Sequence, residues 1–198
     1  MDKNDEEQAL KFVRNAQITS YFTPSTDTKL STIAHSIKEA RTFEAFNHNL
    51  AKHQTSPLKI TNDSIEEMMC SSSHDRVFPI LQILYPNLNY KTTIFHIDHI
   101  YPKSKFKKNK KLDKDFCENH LYNLQLLEGA ENSAKKDKDP EVWLKEEYKN
   151  EQAIEEYKRK NYIDPTLKLE WENIKEFREK REEAIITKLK EVLLPKSS

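Results

Sequence analysis

The sequence predicts a mainly α protein in which helical segments flank one small strand, loop, strand, helix unit. Three observations lead there. The 198 residues contain a single glycine, where an average chain carries about 7%, so little interrupts helix. Charged residues make up 33% at zero net charge, and toward both ends apolar residues recur at helical spacing. Only residues 92–101 and 121–127 concentrate Ile, Thr, Tyr and Leu over strand-like lengths.

Taken in order, the first block reads as short helices over Glu6 to Ile18, Ser31 to Ala40 with Ser31 as N-cap, and Ser64 to Cys70 after a capping Asp63. Asp75 starts a further one over Arg76 to Tyr85. Val77, Ile80, Leu81 and Leu84 form its apolar stripe, while Pro79 limits regular helix. Two strand candidates then enclose an 18-residue connection, Pro102 to Asn119, and loops that long inside compact domains are usually functional or disordered. Past Gly129, Ala130 to Lys138 is the next short helix. Glu141 to Tyr148, Glu151 to Lys160 and a long Lys168 to Leu193 complete the chain. The last presents Trp171, Ile174, Phe177, Ile185, Leu189 and Val192 on one side, a packing face that also offers a route to self-association. The expected parts are therefore a helical region 1–92, a core 93–138 and a helical region 139–198.

Composition excludes several functions. The P-loop, the dinucleotide fingerprint and the nucleophile elbow each need at least two glycines, so nucleotide hydrolysis, NAD chemistry and hydrolase-type serine chemistry are not encoded in their usual forms. Leu, Ile, Val and Phe number 46 of 198, and with no net charge to hold the chain open this is enough to fold. No apolar run approaches the ~20 residues of a membrane span. The acidic start is not a signal peptide, so a cytoplasmic protein with no membrane partner is expected. Cys70 and Cys117 are isolated, which supports neither a disulfide framework nor a CxxC zinc knuckle.

Zero net charge hides a local basic patch. Lys103, Lys105, Lys107, Lys108, Lys110 and Lys111 fall within nine residues of the long connection. Alone, that is an ordinary solvated loop. Just before it stands Phe95-His96-Ile97-Asp98-His99-Ile100-Tyr101-Pro102, where a carboxylate able to hold Mg²⁺ adjoins an imidazole able to take a proton from water. An Asp-His pair can equally close a strand end by hydrogen bonding. In the second half, Asn123 in a strand is followed nine residues later by Asn132 in a helix. Asparagine is unfavourable in both elements, so both positions call for hydrogen bonding or ligation.

These residues resemble the HNH, or His-Me finger, nucleases. That site is a two-stranded antiparallel hairpin plus helix binding one metal, with Asp-His ending the first strand, Asn in the second and His or Asn in the helix. The resemblance covers residues 94–137. It implies that His99 is the general base, that Asp98 and Asn132 hold one divalent cation, Mg²⁺ or Mn²⁺, and that Asn123 ties the connecting loop to the strand behind His99. His96 stands where some relatives place another acid, which makes it a further candidate ligand. Tyr101 and His120 are weaker candidates. The lysines from Lys103 to Lys111 would then meet the DNA backbone without reading sequence.

The runs HIDHIYPKS and NLQLLEGAENSAKKDKDP, with short helices before and long ones after, are similar to the C-terminal nuclease domain of GmrSD-type modification-dependent restriction enzymes and phosphorothioate-linked phage-defence effectors. That likeness implies DNA as substrate and a partner ParB-like nucleotidase or sensor domain, N-terminal in that group, which these 198 residues do not contain. The chain is then an excised effector domain or a stand-alone gene product. Asn132 replaces the family's last His, which suits Mg²⁺ or Mn²⁺ over Zn²⁺. The 24 positions from His99 to Asn123 make a longer insertion than compact relatives have, and no structural zinc cysteines are present. Two alternatives stay open: an HNH-like module that binds DNA or a partner without cleaving, and a ribonuclease or toxin-type nuclease on the same site. At Gly129, where the second strand must turn sharply into the helix, a residue free to adopt positive φ is expected to be useful.

Overall fold

A computed structural model describes residues 3–19, 21–22, 25–52, 60–71, 73–106 and 113–194. Among them the chain is mainly helical around one two-stranded antiparallel sheet, as expected. Its compact units are residues 1–64 and 65–198.

The first unit holds α1 (Lys3–Ile18), α2 (Thr26–Lys38) and α3 (Phe43–Lys52), and aromatic rings of α1 and α3 meet. Phe12 sits edge-on to Phe46 at 5.3 Å between centroids, and the Asp5 carboxylate accepts from the Phe43 amide at 2.9 Å, satisfying a first-turn N–H of α3. The residue pattern did not announce α3, and α2 begins five residues before Ser31. The helix α4 (Asn62–Met69) spans the boundary. Its cap is not Asp63 but a reciprocal pair, in which the Ser64 amide donates to Thr61 Oγ1 and the Thr61 amide to Ser64 Oγ, both at 3.2 Å.

The second unit continues with α5 (His74–Leu84), which runs through Pro79. A proline in a helix interior costs about 3 kcal/mol. Fully buried Val77, Ile80, Leu81 and Leu84 offset that, at about 1.5–3 kcal/mol each. The strand β1 (Phe95–His99) then pairs with β2 (Leu124–Glu128), with Phe95 opposite Glu128, Asp98 opposite Gln125 and His99 opposite Leu124. Both strands are shorter than expected, and the second begins later because Leu121–Asn123 forms a 3₁₀ turn that feeds β2. Asn123 therefore lies in that turn and not within a strand.

Directly after β2 comes α6 (Gly129–Lys135), then α7 (Pro140–Glu147), α8 (Glu151–Lys160) and, beyond a 3₁₀ turn at Trp171–Asn173, α9 (Ile174–Leu193). Pro140 suits the first turn of α7, and Asn150 caps α8 by accepting from the Ala153 amide at 2.9 Å. The buried face of α9 is Ile174, Phe177, Arg181, Ile185, Leu189 and Leu193, so a charged residue stands in the middle of an apolar stripe. Gly129 has no positive φ. It is the first residue of α6, so the turn into the helix does not depend on glycine's conformational freedom. A Cβ there would lie 3.5 Å from the Nε2 atom of His96, an ordinary contact.

Candidate active site

Asn123 organises the end of β1. It is fully buried, and its side chain continues the ladder that the 3₁₀ turn interrupts. The Tyr101 amide donates to Asn123 Oδ1 at 2.9 Å, and Asn123 Nδ2 donates to the carbonyls of Tyr101 at 3.0 Å and Glu118 at 2.9 Å. The Ile100 amide donates to the Asn123 carbonyl at 2.8 Å. Every polar atom of the carboxamide is used on backbone. That fixes the exit from β1, two residues past His99, to the turn at residues 117–120.

Asp98 and His99, adjacent in β1, face different surroundings because side chains alternate along a strand. Asp98 is buried. Its Oδ2 accepts from Gln125 Nε2 at 2.9 Å and pairs with the ammonium of Lys135 at 2.9 Å. Lys135, 1% exposed, also donates to the His99 carbonyl at 2.6 Å and lies 5.8 Å from the centre of the Trp143 ring. The orientation of Gln125 follows from Tyr157 on α8. Burial raises the pKa of that phenol well above its usual value, so it stays protonated and donates to Gln125 Oε1, which leaves the Gln125 nitrogen for Asp98.

The His99 ring, half-buried, turns the other way, with Nε2 3.1 Å from Asn119 Oδ1. Lys103 donates to that same Oδ1 at 3.5 Å. On α6, Gly129, Asn132 and Lys135 recur every three residues and so share one side of the helix. Gly129 abuts His96 and Lys135 meets Asp98, and Asn132 falls between these two along that side of α6. His96 is exposed. Tyr101 belongs to the core, fully buried against Trp171 and Phe177. His120 packs edge-on to Tyr122, and burial lowers its pKa against the opposing pull of Glu182 and Glu118.

Of the six lysines in the basic stretch, Lys103 stands beside the His99–Asn119 pair. Lys105 is tied to Asp139 at 3.1 Å, so its charge is shared with a carboxylate. Lys107, Lys108, Lys110 and Lys111 lie outside the described residues.

Among the described residues no three His, Cys, Asp or Glu side chains cluster as a metal site. What the chain offers an ion is sparser and oxygen-based: Asp98 Oδ1, which none of the described hydrogen bonds or ion pairs uses, and the amide oxygen of Asn132. That donor set fits an ion such as Mg²⁺, which keeps several waters and takes oxygens from a phosphate, better than a softer metal.

Sequence pattern alone missed Lys135, Gln125 and Asn119. Lys135 lies three residues past Asn132, at helical spacing, yet nothing in the sequence separates it from the adjacent Lys136. Gln125 carried a signal, a polar residue between Leu124 and Leu126 directly across from Asp98 once the register is known.

A family model for the C-terminal domain of GmrSD restriction endonucleases matches residues 59–188, a span that includes β1, β2, α6 and the helices on either side of them. No curated protein matches the chain.

Proposed function

This chain belongs to the C-terminal domain family of GmrSD restriction endonucleases, and we propose that it is the metal-dependent nuclease effector of an anti-phage restriction system, hydrolysing DNA phosphodiesters. The observation that carries this reading is the division of labour at the end of β1. Asp98 is turned toward α6, where Lys135 meets it, while the His99 ring is turned away and held by Asn119.

In this reading His99 accepts a proton from a water molecule as its oxygen attacks phosphorus. The bond from phosphorus to the 3′ oxygen breaks, and that oxygen leaves with a proton from solvent. Asp98 and Asn132 would hold a divalent cation, Mg²⁺ or Mn²⁺, which when bound supplies charge neutralisation at the phosphate and the departing oxygen. Asn123 keeps the His99 backbone in place, and Lys103 offers a cation to the DNA backbone beside the base. His96, exposed in β1 beside the start of α6, would meet a phosphate or a water of the ion. The partner on this reading is DNA, brought by a sensor domain of the ParB-like nucleotidase kind.

Incubation with supercoiled plasmid and Mg²⁺ or Mn²⁺, alongside His99→Ala, tests the proposal. Cleavage by the wild type and none by the variant is expected; equal cleavage by both, or none with any divalent metal, overturns it. The pairing of Asp98 with Lys135 favours a second reading, an HNH-like module that docks DNA without cutting, because the carboxylate is already neutralised. Salt-sensitive DNA binding without cleavage would select that reading. Preferred cleavage of RNA over matched DNA would move the substrate class.

A further inference from the structure

We propose that Asn119 is the positioning residue that holds the His99 imidazole with its hydrogen on Nε2, leaving the Nδ1 lone pair to face the attacking water; this rests on the nuclease reading above. The contact is between Nε2 and the Asn119 side chain at 3.1 Å. A carboxamide can present oxygen or nitrogen, and the choice decides which ring atom bears the proton. Lys103 settles it. An ammonium only donates, and Lys103 Nζ lies 3.5 Å from the same atom, so an amide nitrogen there would face a cation. Oδ1 therefore occupies the position, Nε2 must donate to it, and Nδ1 is left with its lone pair.

The turn that carries Asn119 is tied down independently of His99. The Glu118 carbonyl accepts from Asn123 Nδ2 at 2.9 Å, the Cys117 amide donates to the Tyr122 hydroxyl at 2.6 Å, and the Asn123 amide donates to the His120 carbonyl at 2.9 Å. Asn123 also holds the backbone just past His99. One buried side chain thus sets both ends of the His99–Asn119 contact, and the ring direction is built before any substrate arrives. Preorganisation of this kind matters because a misplacement of about 1 Å at a reacting group can cost about 10²-fold in rate.

The test uses the full chain, a short DNA duplex with Mn²⁺ for kinetics, and metal-free protein for ¹H–¹⁵N spectra of the histidine rings. In the wild type a protected His99 ring N–H is expected on Nε2. Asn119→Ala should lose that protection and lower kcat by about 10²-fold, with KM within about twofold. Asn119→Asp, which keeps an acceptor at the same place, should restore the protected N–H and most of kcat. A ring proton found on Nδ1, protection that survives in Asn119→Ala, or an Asn119→Ala kcat equal to the wild type overturns the inference. The ring spectra need no catalysis, so failure of the nuclease reading, seen as cleavage unaffected by His99→Ala, is separable from failure of this one.

Discussion

The ammonium of Lys135 lies 2.9 Å from Asp98 Oδ2 and donates to the His99 carbonyl at 2.6 Å, so one buried cation holds two adjacent residues of the candidate site. Breaking a buried pair by removing one partner typically costs about 3–5 kcal/mol. Lys135→Met should therefore unfold in urea with a loss of that size. It should also gain more thermal stability from Mn²⁺ than the wild type does, because the ion would take over the missing positive charge beside Asp98. A Tm rise with Mn²⁺ no larger than that of the wild type would show that Asp98 does not hold the ion.

Arg181 is a buried guanidinium that, among the described residues, is paired with no carboxylate. It donates to the carbonyls of Asn161 at 2.8 Å, Leu124 at 2.9 Å, Leu121 at 3.3 Å and Tyr122, and burial lowers its pKa, with Tyr85 and Tyr157 acting in opposition. Those of Leu121, Tyr122 and Leu124 flank Asn123. Leaving buried acceptors unsatisfied costs about 1–3 kcal/mol each, so Arg181→Met should destabilise the chain by about 3 kcal/mol or more by urea denaturation. A loss under about 1 kcal/mol would mean that water or relaxed backbone replaces the arginine.

Gly129 begins α6 without positive φ and with ordinary room for a Cβ. Glycine within a helix is less stable than alanine by roughly 0.5–1 kcal/mol. Gly129→Ala should then leave stability unchanged or raise it by up to about that amount, read as a Tm equal to or above the wild type. A fall in Tm would show that the approach to His96 is tighter than the geometry allows.

His120 titrates with a lowered pKa, chiefly through burial. Its neutral form is the one the fold accepts, so the stability it contributes is fully present above the ordinary histidine value of about 6.5 and is lost as pH falls through the depressed folded value. His120→Gln should show a smaller drop in unfolding free energy between about pH 7.5 and 5.5 than the wild type. An equal drop in the two proteins would assign the acid sensitivity to other groups.

Much of the secondary structure was legible because helical periodicity and strand-like composition are local properties. The pattern located α8 to the residue, put α1, α5 and α7 within three residues of their bounds, and found the end of α9 but began it six residues early. It failed where a tertiary partner decides. Asn123 turns a strand entry into a 3₁₀ turn because its side chain is bonded to residues 101 and 118, and Pro79 survives inside α5 because the face it interrupts is buried.

The sequence by itself determined a glycine-poor helical chain with one ββα unit, and it singled out Asp98, His99, Asn123 and Asn132 by chemical type and spacing. Only the tertiary structure decided what each of them touches. Lys135 and Lys136 are identical as letters, yet α6 turns the first into the core, where it meets Asp98, while the second, just past the helix, is exposed. Asn119 sits 20 positions from His99 and becomes its partner only because Asn123 pulls the turn at 117–120 against the end of β1. Spacing encodes which side of an element a residue occupies; partners across elements are set by packing, and here packing places one lysine and one asparagine behind the Asp-His pair.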